Sequence, residues 1–372
     1  MPQKIDAMSA GMKYRYRDIG KYLVCVDQTV TGALRRFILG YDSNMLDSLG
    51  ISKLLARNIV KVLAKNRLRP QSADYYEVLP VFGHLGMYVH RGFKLFDFEA
   101  STVTKIFASG ISKSEAEQEI AASREACAVR QAPRFIAADP GSDWFTEEYV
   151  RGIHATDLVA PKSGDYLRYY ADAENCLLEL LECKAPTVVD AMSHITDLAD
   201  NAYRDRWLDA GFARQEIDGI SHYLESVRSW LADNLPAGHL QLVRTHGDFS
   251  LVNAISTESG LRIIDWEGIG PGSLYSDIYN FAFAEYYYGR TGPDFVSELG
   301  SVIERFRAAV LERKPKLRNA AMMNQTVVRR LYYLERVRLM ANRDVTTNLY
   351  SVIEKSIAMF NEFDRDIGDV PL

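Results

Sequence analysis

The chain has 372 residues, of which 47% are hydrophobic and 25% charged, and its formal net charge is −5. This composition excludes a largely disordered chain and argues against a general nucleic-acid binder, which would carry a basic surplus. The length is sufficient for two or three domains with buried cores.

The four cysteines form no Cys-x-x-Cys pair and show no metal-ligand spacing, which favours reduced thiols in a reducing compartment. No uninterrupted apolar run of about 18 residues predicts a membrane span. The first residues lack the apolar core of a secretory signal. We therefore expect a cytoplasmic protein.

Residues 1–75 form a predicted N-terminal extension, separate from the sequence that follows. Within it, Tyr22–Val26 is a candidate strand, and Ile51–Leu68 has apolar residues at helical spacing. Basic residues recur every four positions along that helix, and the basic run extends from Lys53 to Arg69. This stripe is either a solvent-exposed face, which we favour, or a contact for a membrane surface or an anionic glycan.

Residues 76–150 change to a strand pattern and form a predicted small lobe of antiparallel sheet plus helix. Five strands are predicted, at Val78–Phe82, Phe93–Phe98, Ser101–Phe107, Arg134–Ala138 and Asp143–Val150. Gly83, Gly86 and Gly92 separate the first two strands. They indicate either a nucleotide-covering loop or ordinary hairpin turns.

Lys105, on the third predicted strand, faces the same side as its apolar neighbours. An inward lysine is costly unless a carboxylate neutralises it, although it can also reach solvent at a strand edge. The following predicted helix, Ser112–Arg130, carries several glutamates. Glu119 is the favoured partner and Glu125 the second choice, because such a lysine–glutamate pair grips nucleotide phosphates in kinases.

After Arg151 the pattern is mainly helical, so residues 151–372 form a predicted large helical lobe. Glu148, Tyr149 and Val150 make the crossing between the lobes. Main-chain groups of such a crossing can bind an adenine edge. We assign this contact to the carbonyl of Glu148 and the N–H of Val150.

A dense group of polar and acidic residues follows a predicted strand at Gln241–Thr245. The residues from His246 to Asn253 read His-Gly-Asp-Phe-Ser-Leu-Val-Asn, and Asp265 follows a second predicted strand at Gly260–Ile264. In phosphoryl transfer a carboxylate orients the attacking hydroxyl while oxygen ligands hold Mg²⁺ against the nucleotide phosphates.

This pattern predicts that Asp248 is catalytic, that Asn253 and Asp265 bind Mg²⁺, and that His246 supports the loop. The spacing His-x-Asp-x-x-x-x-Asn is that of the kinase catalytic loop. Gly247 stands where protein kinases carry arginine.

Together the stretches His246–Asn253, Ile264–Glu267 and Tyr275–Phe281 resemble the aminoglycoside phosphotransferase and choline kinase superfamily. In that family the first motif carries the catalytic aspartate and a metal-binding asparagine, and the second carries the metal-binding aspartate. A later aspartate, here Asp277, braces the catalytic loop. The resemblance spans Glu77–Arg338. It implies a two-lobed, protein-kinase-like α+β fold with an extra N-terminal segment, and ATP and Mg²⁺ as cofactors.

The resemblance implies transfer of the γ-phosphate to a hydroxyl of a small molecule or glycan, with a sugar, lipid-linked glycan or amino alcohol favoured. The alternatives are an aminoglycoside-type antibiotic kinase and a catalytically inactive kinase-like binding or regulatory protein. Glu267 and Tyr286 are candidate acceptor contacts. Arginines on a predicted helix at Val327–Met340 would suit an anionic acceptor. The acceptor and the oligomeric state stay open.

Overall fold

The structure is a computed structural model that describes residues 14–18, 22–25, 77–79, 81–89, 91–159, 162, 165–200, 203–236, 238–342 and 349–367. Contacts divide the chain into two compact units. One consists of Met1–Ala155 and Ile255–Glu267, and the other of Thr156–Ala254 and Gly268–Leu372. The predicted basic helix Ile51–Leu68 lies outside the described residues.

The first unit is built on an eight-stranded antiparallel sheet with the order β3-β1-β2-β4-β5-β6-β8-β7. Its strands are β1 (Tyr14–Asp18), β2 (Tyr22–Cys25), β3 (Glu77–Leu79), β4 (Leu85–Val89), β5 (Gly92–Asp97), β6 (Thr102–Phe107), β7 (Phe135–Ala138) and β8 (Trp144–Glu148). In β6 the four consecutive residues 103–106 are buried, and in β5 Leu95 and Phe96 are. Successive side chains of a strand point to opposite faces, so both faces of these central strands are covered.

The sheet extends further toward the N-terminus than the sequence pattern indicates. β1 pairs with β3 and β2 pairs with β4, so these two strands, within the predicted extension of residues 1–75, belong to the same sheet as β5–β8. β4 itself is absent from the predicted strands. Gly86 lies within β4, and Gly92 begins β5. The two strands form a hairpin in which Val89 lies opposite Gly92.

One helix, α1 (Lys113–Ala126), follows β6. The Ser112 hydroxyl accepts from the Glu115 N–H, and the Glu115 carboxylate accepts from the Ser112 N–H, which fixes where the helix begins. A small sheet in the order β13-β12-β9 joins β9 (Ile153–His154) to β12 (Ala254–Thr257) and β13 (Gly260–Ile263). Through it the later chain segment enters the first unit.

The second unit is mainly helical. Its helices are α2 (Tyr170–Cys183), α3 (Ala191–Ala199), α4 (Arg204–Asp209), α5 (Arg214–Asn234), α6 (Ser276–Tyr287), α7 (Phe295–Arg313), α8 (Arg318–Ala321), α9 (Gln325–Ala341) and α10 (Leu349–Ile367). A three-stranded sheet has the order β10 (Thr187–Asp190), β11 (His239–Thr245) and β14 (Gly270–Gly272). The predicted catalytic motif begins at His246, directly after β11 ends.

The helical core is rich in aromatic rings. Phe283 and Tyr333 both pack on Phe360, with ring centroids 4.5 Å and 4.3 Å away. Such contacts bury large apolar area and hold α6, α9 and α10 together. Among the described residues, no helix combines the length and apolarity that a membrane crossing needs. The sheet-plus-helix unit and the helical unit confirm the predicted α+β fold class.

Candidate active site

Lys105 anchors a cluster of charges in the first unit. Its side chain is only 4% exposed and donates to Glu119 of α1, which is 6% exposed, and to Oε2 of Glu267 at 3.1 Å. Burial raises the pKa of Glu119, an effect that the charge of Lys105 opposes. Glu119 is therefore the carboxylate that compensates this inward lysine, and Glu267 adds a second one.

A second lysine, Lys94 on β5, lies directly opposite Lys105 in the β5–β6 register. Its Nζ contacts Oδ1 of Asp265 at 2.5 Å. Burial alone would lower the pKa of Lys94, but the charges of Asp265 and Glu147 raise it above its ordinary value. The predicted metal ligand thus has an ammonium group as its neighbour. Lys94 is absent from the sequence predictions, because its position opposite Lys105 depends on the strand register; like charges in such a pair are destabilising unless carboxylates neutralise them.

Asp265 has a backbone φ of +60°, in the left-handed region. Aspartate tolerates this region better than most residues. β13 ends at Ile263, so Asp265 lies just past the strand. In this backbone conformation the Asp265 carboxylate contacts Lys94.

Glu148, at the end of β8, accepts two hydrogen bonds through its side-chain carboxylate. Oε2 accepts from Nη2 of Arg262 at 2.9 Å and from the N–H of Arg134 at 3.2 Å. Burial alone would raise the pKa of Glu148, but the bonds from Arg262 and Arg134 lower it. Arg262 also donates to the carbonyls of Gln131 and Ala132. The segment that carries Glu148 and Val150 is consequently fixed to β13.

In the second unit, the catalytic motif starts where β11 ends. His246 is fully buried, and its Nδ1 accepts from the N–H of Asp248 at 3.2 Å. Its ring packs edge-on against Phe249 at a centroid distance of 5.8 Å. These contacts hold the ring against the loop, and the supporting role of His246 stays a prediction.

Gly247 gives the loop its turn. Its φ is +81°, and a Cβ placed on it would lie 2.5 Å from the carbonyl oxygen of Gly268. Both the conformation and the close approach require glycine. A side chain is therefore excluded at the position next to Asp248.

Asp277, in the first turn of α6, accepts from two loop N–H groups. Its Oδ2 binds the N–H of His246 at 2.7 Å and its Oδ1 that of Gly247 at 3.1 Å. Burial raises the pKa of Asp277, opposed by His246 and by these N–H donors. The side chain is 4% exposed, so the loop is braced from inside the unit.

Two asparagines hold the remainder of the loop. Nδ2 of Asn253 donates to the carbonyl of Asp248 at 2.9 Å, and Nδ2 of Asn280 donates to the carbonyl of Phe249 at 2.9 Å. Because the Asn253 amide nitrogen is turned to the loop, its amide oxygen is the atom suited to a metal. Asn280 lies inside the Tyr275–Phe281 motif, but sequence analysis assigned it no role.

The carboxylate of Asp248 has a cationic partner on α9. Nη1 of Arg336 lies 2.9 Å from Oδ1 of Asp248 and 3.3 Å from the carbonyl oxygen of Gly247. Asp248 is 32% exposed, whereas Arg336 is 17% exposed. The predicted catalytic carboxylate is thus accessible on a loop that is held from behind.

The other α9 arginines are neutralised within their own unit. Arg329 and Arg330 both pair with Asp364, and Arg338 lies 4.0 Å from Asp200. These contacts leave little support for the expectation that the helix presents a cationic face to an anionic acceptor. They tie α9 to neighbouring elements instead.

The two candidate acceptor contacts have other neighbours in the structure. Glu267 contacts Lys105, as described above. The Tyr286 hydroxyl donates to Asp366 at 2.7 Å, and its ring packs on Phe295 and Phe363. Tyr286 therefore takes part in helix packing, and Glu267 belongs to the lysine cluster.

Residues 95–313 match the model of the phosphotransferase enzyme family, APH. Comparison with curated protein sequences returns no match.

Three solved structures are similar at low identity. A choline/ethanolamine kinase family protein from Mesorhizobium loti is 16% identical, with 76% of this chain and 89% of that chain covered and a TM-score of 0.46. An ADP-bound aminoglycoside phosphotransferase, APH(2'')-Ib, is 13% identical, with coverages of 73% and 92% and a TM-score of 0.45. A glucosamine kinase is 15% identical, with coverages of 79% and 76% and a TM-score of 0.44.

The family match covers more than half of the chain and includes Lys105, the His246–Asn253 loop, Asp265 and Asp277. The resemblance read from the sequence motifs is thereby confirmed. The chain belongs to the phosphotransferase enzyme family.

Proposed function

We propose that this phosphotransferase uses ATP and Mg²⁺ to phosphorylate a hydroxyl group of a small molecule or glycan. The observation that carries the proposal is the Asp248 loop, whose carboxylate is accessible while His246, Asp277 and Asn253 fix the backbone around it. Such rigid positioning is what phosphoryl transfer requires, because it involves little covalent chemistry by the protein.

In the first unit, we assign phosphate binding to Lys105, which Glu119 and Glu267 surround. The main-chain carbonyl of Glu148 and N–H of Val150 are assigned to the adenine edge. The bonds from Arg262 and Arg134 to the Glu148 side chain support this assignment, because they fix the local backbone.

Asn253 and Asp265 carry the oxygen ligands that a magnesium ion accepts. We assign the amide oxygen of Asn253 and the carboxylate of Asp265 as ligands, because Mg²⁺ prefers one or two such oxygens together with substrate phosphates and water. When bound, Mg²⁺ would neutralise charge on the phosphates of ATP. Lys94 contacts Oδ1 of Asp265 and therefore competes with a metal for the charge of this carboxylate.

At the acceptor, the Asp248 carboxylate accepts a hydrogen bond from the substrate hydroxyl and directs its oxygen toward the γ-phosphorus. The new O–P bond forms as the bond from the γ-phosphorus to the β–γ bridging oxygen breaks. ADP leaves, and the hydroxyl proton passes to Asp248 or to the transferred phosphate. The acceptor class that we favour is a sugar, a lipid-linked glycan or an amino alcohol.

The test is phosphoryl transfer from ATP with Mg²⁺ to small-molecule extracts, read by mass spectrometry as an added phosphate. Wild-type protein should form a product that Asp248→Asn does not form. Asp233→Asn, on the exposed side of α5, makes the same charge change and should retain transfer. If wild-type protein transfers no phosphate across sugars, glycans, amino alcohols and aminoglycosides, the enzyme proposal fails and the inactive, regulatory alternative stands. A product confined to aminoglycosides would identify the antibiotic kinase alternative.

A further inference from the structure

Arg336 is a basic residue beside the predicted catalytic carboxylate that lies outside the sequence motifs. It lies on α9 and reaches back by 89 residues to the Gly247 carbonyl, with the Asp248 carboxylate 2.9 Å from the same nitrogen. The side chain is largely covered, so this guanidinium is not a mobile surface charge.

The geometry of the loop explains why the charge comes from so far away. In protein kinases the residue before the catalytic aspartate is an arginine. Here that residue is Gly247, whose φ of +81° and 2.5 Å approach to Gly268 exclude any side chain. A guanidinium is therefore excluded at position 247, and Arg336 of α9 brings one to the aspartate instead.

The neighbouring arginines on α9 show what a purely structural pair looks like. Arg329 and Arg330 converge on Asp364 of α10 and connect two helices. Arg336 differs, because its contacts are a loop carbonyl and the carboxylate that we assign to the acceptor hydroxyl. Burial alone would lower the pKa of Arg336, but Asp248 raises it, so the guanidinium stays charged.

We propose that Arg336 is a positioning residue for Asp248. It holds one carboxylate oxygen and so fixes the direction in which Asp248 meets the acceptor. A charge-assisted bond of this kind has the strength and directionality that such a role requires. The inference rests on the proposed function.

The test compares Arg336→Met with Arg338→Met, a control on the same helix whose partner is Asp200. For Arg336→Met we expect kcat to fall ~10–100-fold with little change in the KM for ATP, since misorientation of a reacting group has costs of this size. Added guanidinium or ethylguanidinium ions should restore a measurable share of kcat in Arg336→Met. They should not increase the kcat of Arg338→Met, because removal of an arginine that pairs with Asp200 creates no defect at Asp248 for the ions to repair.

Arg336→Lys gives a second measurement if Arg336→Met does not fold. Lysine keeps the charge but lacks the rigid guanidinium that directs Nη1 to both the Asp248 carboxylate and the Gly247 carbonyl, so kcat should lie between those of the wild type and the methionine variant. The inference is overturned if Arg336→Met keeps wild-type kcat, if guanidinium ions fail to increase its kcat, or if Arg336→Lys shows no loss. Absence of transfer by the wild-type protein would instead overturn the proposed function, and the inference with it.

Discussion

The two units hold their functional residues in different ways. In the first unit, the charged groups bind one another through their side chains: Lys94 to Asp265, Lys105 to Glu119 and Glu267. In the second unit, Asp248 has one side-chain partner, Arg336, but its loop is held mainly through the backbone: Asp277 accepts two N–H groups, and Asn280 donates to a carbonyl. Side-chain pairs can exchange partners when a charged ligand arrives, whereas backbone contacts fix one loop geometry.

In the proposed division of roles, the first unit binds nucleotide and the second positions the hydroxyl, and these tasks place opposite demands on a protein. A phosphate site must give up some of its internal pairing to accept a ligand, and in the proposed one Lys94 and Lys105 lie among several carboxylates. A loop that aims one carboxylate gains from being fixed before substrate binds. We therefore expect variants of the first unit to change nucleotide use and variants of the second unit to change kcat or stability.

The largest effect should come from Asp248→Asn. Its amide cannot take a proton or hold the hydroxyl as a carboxylate does, so we expect kcat to fall ~10²–10⁴-fold. Nucleotide binding, measured by calorimetry with ADP, should change little, because the proposed phosphate contacts belong to the first unit. An equal loss of ADP affinity would contradict the division of roles between the units.

Lys105→Met should weaken nucleotide use next most strongly. Loss of the phosphate contact should lower kcat/KM for ATP by ~10²-fold, a loss expected for a charged contact of ~2–3 kcal/mol. Lys113→Met, which removes an exposed lysine that pairs with Glu117 on α1, serves as the control and should leave kcat/KM unchanged. Equal kcat/KM values for wild type and Lys105→Met would reject the assignment of Lys105.

The same variant tests the pairing by its pH dependence. Burial already raises the pKa of Glu119 while Lys105 opposes the shift, so removal of Lys105 should raise it further. An acid with a raised folded-state pKa stabilises the fold below its unfolded pKa and loses that contribution as pH rises through the folded value. Lys105→Met should therefore be more destabilised relative to wild type at pH 8 than at pH 5, as measured by urea unfolding. In Lys105→Met/Glu119→Gln this difference should disappear.

Asp277→Ala should affect stability and kcat together. The change leaves the N–H groups of His246 and Gly247 without their carboxylate acceptor, at a cost of ~1–3 kcal/mol for each buried donor that stays unsatisfied. We expect a lower midpoint of thermal unfolding and a reduced kcat, with ADP affinity preserved. Asp277→Asn retains an acceptor oxygen and should be milder. A normal unfolding midpoint for Asp277→Ala would show that the brace contributes nothing.

The smallest effect should follow Lys94→Met. Because Lys94 occupies the Asp265 carboxylate, its removal should lower the Mg²⁺ concentration needed for half-maximal nucleotide binding by a few-fold, or ~1 kcal/mol. Titration of ADP binding with Mg²⁺ measures this directly, independently of turnover. An increase in the Mg²⁺ requirement would show that Lys94 assists the metal instead of competing with it.

The catalytic loop was accessible to sequence analysis because its chemistry is local. His246, Asp248 and Asn253 lie within eight consecutive residues, and Asp277 stands in a recognisable motif nearby. Lys105 and Glu119 were also within reach, since a strand and the helix after it bring them together. These residues are close in the sequence and also close in the structure.

The remaining partners depend on register and packing that no local pattern encodes. Lys94 meets Asp265 across 171 residues, and Arg336 meets the catalytic loop across 89. β4 was missed because glycines dominate its surroundings, and β1 and β2 join the sheet through pairing with distant strands. Strand pairing over such separations depends on the whole sheet, so a single strand gives little indication of its neighbours.

Arg262 reaches back across the chain to bond the carbonyls of Gln131 and Ala132, and the segment that holds it also carries Asp265 and Glu267. During synthesis on the ribosome, residues 1–155 therefore emerge well before the unit to which they belong can be completed. Until residue 267 has left the exit tunnel, Lys94 and Lys105 lack Asp265 and Glu267 as partners. The eight-stranded sheet can pair within residues 14–148, but Lys94 and Lys105 wait for their later carboxylates while about a hundred residues of mainly helical sequence are made, and this interval exposes the unit to misfolding.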